Sequence, residues 1–239
     1  MNHFYNFIRP FITRGDIQNN ETVSKKNVAE EAVKLEEARY SLTKIMNYFN
    51  NALDRLMKVA VEKKSVRNAL DVGCADGEVI AKLALKNPKV SFVAIDIMEF
   101  AISIAKKKFN KTENLMFEKR DFINEDIEIK TDLITCLQTI EHIEDKFLHS
   151  FIDRLFHTAK KVVILTVPNE PFWCLANIIR FKYWSRLGNS PHHIQHWTKK
   201  SFENFVKKIV FERWGEMTTI ITANPIKLWT MILFINNNS

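Results

Sequence analysis

From about Val28 to Lys63 apolar residues recur at helical spacing, among them Leu35, Ala38, Leu42, Ile45 and Met46, which predicts one or two helices. Short β-branched runs then alternate with amphipathic segments. Strands are predicted over Val66–Val72, Val90–Asp96, Leu115–Lys119, Asp132–Leu137 and Val162–Val167, and helices over Glu78–Leu85, Phe100–Phe109 and Asp145–Ala159. Lys106, Lys107 and Lys108 suit the negative end of the second of these helices. Strands separated by single helices need parallel crossovers, so the pattern describes an α/β doubly wound sheet. Beyond Pro168 the rhythm changes. Pro168–Trp197 reads as irregular and aromatic, and Lys199–Ile209 as a helix. Met217–Ala223 and Leu228–Ile235 read as two strands joined through Asn224-Pro225, and so short a link makes them antiparallel.

Composition changes this picture little. The 239 residues fit one domain, read as an N-terminal arm with helices over 1–64 and a main domain over 65–239 with a cap at 169–198. No apolar run is long enough for a membrane span, and the N-terminus lacks a signal-peptide pattern. Cys74, Cys136 and Cys174 are odd in number and widely spaced, which gives neither a disulfide framework nor a CxxC zinc site and favours the cytoplasm. The 35 Lys+Arg against 28 Asp+Glu leave a formal charge of +7, which favours anionic partners without choosing among nucleic acid, acidic lipid and charged cofactor.

The most informative segment is Asp71-Val72-Gly73-Cys74-Ala75-Asp76-Gly77-Glu78, which leaves a strand, turns on small residues and opens a helix. Such a turn lets the backbone approach a ligand and aims unpaired N–H groups at it. Asp71 would repel a pyrophosphate and attract an ammonium, which disfavours a nicotinamide dinucleotide. Asp96 ends the next strand, where a carboxylate can accept both hydroxyls of a ribose. Asp121 and Phe122 close the third, where an acid can meet an adenine amino group and an aromatic can stack on its ring. The outline is that of a nucleoside joined to an amino acid.

The turn resembles the first motif, D/E-x-G-x-G-x-G, of class I S-adenosylmethionine (SAM)-dependent methyltransferases, with Ala75 at the middle glycine. The resemblance implies a Rossmann-like seven-stranded sheet of order 3-2-1-4-5-7-6 with the last strand antiparallel. It also implies SAM as cofactor, with Asp71, Gly73, Ala75 and Gly77 at the methionine end, Asp96 and Ile97 at the ribose, Asp121 and Phe122 at the adenine, and Leu137 alongside.

The fourth strand runs into Gln138-Thr139-Ile140-Glu141-His142, the fifth into Val167-Pro168-Asn169, and the following loop carries His192, His193 and His196 before Trp197-Thr198. Glu141 and His142 facing these histidines could form an acid/base or metal constellation. Equally, Glu141, Glu144 and Asp145 suit the N-terminus of the next helix. This layout is similar to that of ubiquinone-biosynthesis-type O-methyltransferases and related enzymes of glycan and lipid pathways. It is also similar to small-RNA 3′-terminal 2′-O-methyltransferases, which show Glu-x-x-Glu-His and His-x-x-x-Trp-Thr. By that second resemblance Glu141, His142 and His193 would be ligands of a divalent metal, while Gln138 stands where the RNA enzymes have a glutamate.

The expectation is therefore O-methylation of a small-molecule, glycan- or lipid-linked acceptor, with catalysis by Glu141, His142 and His193. An RNA ribose methyltransferase and a non-catalytic SAM-binding regulatory protein are the alternatives. The aromatic, basic 172–187 stretch, whose apolar residues run nearly around a helix, reads as a pocket lid or buried helix, as a contact with an anionic membrane from the cytoplasmic side, or as a stacking surface for single-stranded RNA. Phe4, Tyr5, Phe7, Ile8, Phe11 and Ile12 would complete that cap or pack on a partner subunit.

Overall fold

The computed structural model describes residues 46–127, 129–179, 187, 193–221 and 227–239. The expected helix over 28–45, the N-terminal aromatics, His192, Asn224-Pro225 and most of the 180–192 stretch lie outside the described residues.

Helix α1 covers 46–64. Then follow β1 (Asn68–Val72), α2 (Glu78–Lys86), β2 (Ser91–Asp96), α3 (Glu99–Lys108), β3 (Leu115–Lys119), β4 (Thr131–Leu137), α4 (Asp145–Thr158) and β5 (Ala159–Pro168). The chain closes with α5 (Glu170–Ile179), α6 (Lys199–Trp214), β6 (Met217–Ile221) and β7 (Trp229–Asn236). One seven-stranded sheet has the order β3-β2-β1-β4-β5-β7-β6, parallel except for β7, which runs antiparallel to β5 and β6. This is the topology that the methyltransferase resemblance implied.

Apolar strands covered on both faces explain the two cores. On one face Phe49, Leu53, Leu56 and Met57 of α1 pack with α2, α3 and Trp229, and Phe49 meets the Trp229 ring edge-on at 5.1 Å. On the other, Phe151, Leu155 and Phe156 of α4 pack with Phe202, Val206, Val210 and Trp214 of α6.

Two expectations need correction. Residues 168–197 are not irregular throughout, because Glu170–Ile179 is helical, with an acid in its first turn and Pro171 where an N–H would have no partner. Helix α6 runs past Ile209 to Trp214. Phe202, Val206, Val210 and Trp214 keep the four-residue spacing of a buried stripe, and Gly215, at φ 60, ends the helix.

Candidate active site

Strand order reverses direction between β1 and β4, so the loops leaving their carboxyl ends border the crevice where open α/β sheets bind ligands. After β1, the N–H groups of Gly73 and Cys74 both donate to the Ile95 carbonyl, at 2.8 and 3.0 Å, which ties the turn to β2. Gly73 and Gly77 have φ of 83 and 78, in the left-handed region that glycine enters without strain. A Cβ on Gly73 would drive into Thr139, and one on Gly77 would lie 2.6 Å from the Phe117 ring. Ala75, at the family's middle glycine, also has positive φ, 49, so its substitution there carries backbone strain.

Asp71 is buried and accepts a 2.5 Å hydrogen bond from Thr135 Oγ1. Burial pushes its carboxyl up to about 7 against the Thr135 bond, and the neighbouring Asp96 adds to the rise. Asp96 is held from both sides. Its Oδ2 accepts from the Ala75 N–H and its Oδ1 from the Met98 N–H, each at 2.8 Å, which fixes the carboxylate at the strand end with lone pairs to spare. Ile97 is exposed beside it, and Leu137 is buried at the end of β4.

The third strand end places Asp121 and Phe122 just after β3. Asp121 uses its carboxylate on its own turn, accepting from the N–H groups of Ile123 and Asn124 and from the Asn124 side chain. Those bonds, the Asn124 side chain foremost, hold it below the usual carboxylate range. Phe122 is buried edge-on to Phe151, with Arg154 over its ring. The adenine side expected of Asp121 and Phe122 thus lies at a strand end whose turn is fixed by the Asp121 carboxylate, which keeps acceptor capacity beyond these bonds.

After β4 the backbone of Gln138 turns left-handed, φ 56, and its side-chain amide donates to Thr166 Oγ1 on β5. A short 3-10 turn, Ile140–His142, follows. Ile140 is fully buried and anchors the turn. Glu141 is also buried, 1% exposed, while His142 faces solvent. The Glu141 carbonyl accepts from the N–H groups of both Ile194 and Gln195, at 2.9 and 3.1 Å. Gln195 in turn donates to the Ile143 carbonyl and to Asp145, which pins the histidine loop to the start of α4. Ligand atoms of Glu141, His142 and His193 thereby come within 4.8 Å of one another.

Burial raises the Glu141 carboxyl to about 8, with Glu170 contributing, and its Oε2 has no hydrogen-bond partner among the described residues. A buried orphan oxygen beside two imidazoles is a donor set that fits a divalent cation. His196 stands apart from the three, its side chain 44% exposed.

Sequence reasoning missed Glu170. It opens α5, is 7% exposed, and its Oε1 lies 2.9 Å from His193 Nδ1. Burial opposes its ionisation, but the bonds from His193 and Cys174 outweigh that and hold its carboxyl below the usual range. The only signal in the sequence was a glutamate directly after Pro168-Asn169 with a cysteine four residues on.

Helix α5 is two-faced. Glu170, Trp173 and Asn177 turn inward, with Trp173 stacked on the His193 ring at 6.2 Å, while Phe172, Leu175 and Ile179 are 40, 52 and 67% exposed. No helix among the described residues is long and apolar enough to cross a membrane.

A family model described as "Methyltransferase domain" matches residues 43–213. The malonyl-[acyl-carrier protein] O-methyltransferase of Bacillus anthracis is 30% identical over 138 residues, 58% of this chain and 49% of that protein. Nodulation protein S of Azorhizobium caulinodans is 23% identical over 99 residues, 41% of this chain and 46% of that protein. The chain thus spans about half the length of the curated relatives it matches. The crystal structure of the methyltransferase domain of a bacterial Hen1 protein shares the fold, with TM-score 0.60 at 18% identity over 76% of this chain and 96% of that one. Sheet order, glycine turn and family match agree, and the chain belongs to the class I SAM-dependent methyltransferase family.

Proposed function

We propose that the chain transfers the methyl group of SAM to an oxygen of a small-molecule, glycan- or lipid-linked acceptor. The observation that carries this reading is the convergence of Glu141, His142 and His193 at the carboxyl edge of β4, beside the β1 turn. The sulfonium methyl is already activated, so the protein's work is to align the acceptor and to take its proton. His193 or His142 does the second, and Glu141 orients it. When bound, a divalent cation held by Glu141, His142 and His193 supplies Lewis-acid stabilisation of the acceptor oxygen. On the cofactor side, Asp71 and the Gly73–Gly77 turn receive the methionine end, Asp96 and Ile97 the ribose, and Leu137 flanks the crevice. The three cysteines are free thiols, which supports a reducing, cytoplasmic setting.

The test is His142→Ala and His193→Ala, assayed by SAM turnover against phenol, alcohol and carboxylate acceptors and an RNA oligonucleotide with a free 3′ end. Methyl transfer should be lost in at least one variant while binding of S-adenosylhomocysteine (SAH) survives. Full turnover in both sinks the assignment. Tight SAH binding by the wild type without turnover on any acceptor would favour the regulatory alternative.

A second reading concerns where the acceptor resides. The exposed Phe172, Leu175 and Ile179 share one face of α5, and Arg180, Lys182 and Arg186 follow in the sequence. Apolar residues next to basic ones favour an anionic membrane surface as the place where the acceptor is met. Sedimentation with phosphatidylserine-containing vesicles, lost at high salt and in Phe172→Ser/Leu175→Ser, is expected. Salt-sensitive binding of single-stranded RNA without vesicle binding would point to the RNA alternative.

A further inference from the structure

Glu170 is buried for a reason the cofactor turn does not supply. Both its side chain and that of His193 are almost wholly enclosed, at 9 and 7% exposure, and they meet through Oε1 and Nδ1 at 2.9 Å. A carboxylate out of water needs donors. Oε2 has one in the Cys174 thiol at 3.2 Å, and Oε1 has His193. His196 Nδ1 lies farther from the same oxygen, at 3.5 Å, on a side chain nearly half exposed.

We propose that Glu170 is a positioning residue: it holds His193 as the tautomer with hydrogen on Nδ1 and turns the Nε2 lone pair toward Glu141 and His142. The inference rests on the methyl-transfer reading of that cluster and adds a residue to it.

Three features fix the ring. The carboxylate accepts from Nδ1–H, which leaves Nε2 without a proton and able to accept one from an acceptor hydroxyl or to ligate a cation. Trp173, three residues on and so on the same face of α5, stacks on the imidazole and blocks its rotation out of plane. The backbone N–H of Glu170 donates to the Trp197 carbonyl at 3.0 Å, so the helix start and the histidine loop are bonded at backbone level as well. His142 meets the same ring edge-on at 5.5 Å. One turn of α5 therefore sets the orientation of a side chain that belongs to a different loop.

The test needs no acceptor. In protein labelled with 15N-histidine, long-range proton–nitrogen NMR at pH 8 reports which ring nitrogen carries hydrogen, and the His193 signals are those lost in His193→Ala. The wild type should show His193 protonated on Nδ1, and hydrogen on Nε2 instead overturns the proposal without any variant. In Glu170→Ala the Nδ1–H preference should disappear. Methyl transfer to whichever acceptor the panel yields should fall about 10- to 100-fold, the range typical for the partner behind an active histidine. SAH affinity, measured by calorimetry, should stay within about twofold, since the cofactor turn lies after a different strand. An unchanged tautomer in Glu170→Ala refutes the positioning role. Full turnover in both His142→Ala and His193→Ala with the wild-type Nδ1–H intact would instead defeat the catalytic reading of the cluster while leaving the Glu170 contact standing.

Discussion

Asp71→Asn should stabilise the ligand-free protein at pH 8 and weaken its hold on SAM. Burial raises the Asp71 carboxyl from an ordinary 3.8 to about 7. Between about pH 4 and pH 7 the folded state therefore keeps a proton that the unfolded state has released, and stability falls as pH rises through this window. The full shift is about 3 pKa units, or about 4 kcal/mol, and it is an upper bound because solvent relaxation softens burial costs. Asparagine has nearly the same shape, keeps an oxygen to accept from Thr135, and carries no charge to desolvate. With a urea slope of about 3 kcal/mol per molar, the variant's unfolding midpoint at pH 8 should rise by up to about 1 M. At pH 4 the two proteins should unfold alike. The wild-type-minus-variant difference cancels the titrating groups that do not interact with Asp71, so it reports this carboxyl together with its coupled neighbour Asp96. A midpoint at pH 8 that is unchanged or lower in the variant would refute the reasoning. On the proposal that Asp71 receives the cofactor's ammonium, SAH affinity should fall at least tenfold in the variant by calorimetry.

Two further changes test the turn. Gly77→Ala meets the Phe117 ring at 2.6 Å and a left-handed φ, and should cost about 2–4 kcal/mol in urea unfolding; a loss below about 1 kcal/mol would mean that the turn yields easily. Ala75→Gly removes left-handed strain worth about 1–2 kcal/mol but loosens the unfolded chain by about 0.4–1 kcal/mol. A net gain of about 0.5–1 kcal/mol should lift the melting temperature by about 1–4 °C, and a lower melting temperature would show that Ala75 is not strained.

Most of the sheet was legible because its strands are short, apolar and separated by amphipathic helices. Leu115–Lys119 matches the observed β3 to the residue, and β1, β2 and β4 begin within two residues of expectation. Strand β5 runs longer, from Ala159 to Pro168, because pairing with β4 at one end and β7 at the other extends it beyond its own apolar run. Helix α5 was legible only as one alternative to an irregular stretch, for the opposite reason. Its outer face carries Phe172, Leu175 and Ile179 where a surface helix would carry polar residues, so the contrast that periodicity detects is weak. Ala75 shows a different limit: the sequence revealed a missing glycine, but only the backbone angle shows that the position needs one.

The active cluster divides along the same line. Glu141 and His142 were legible because two residues adjacent in sequence sit at the end of a strand, where local reasoning reaches. His193 was joined to them by the resemblance; the fold supplies the means, since a single backbone carbonyl, that of Glu141, bonds Ile194 and Gln195 and so brings the second loop in. Glu170 lay beyond reach because its partner is decided by how α5 docks. The consequence is a separation of tasks within one helix. Its inner face, Glu170 and Trp173, holds His193, and its outer face, Phe172, Leu175 and Ile179, is exposed. Outer-face substitutions such as Leu175→Ser can therefore alter which acceptor or surface is met while the histidine stays aligned, whereas an inner-face change must disturb the chemistry for every acceptor alike.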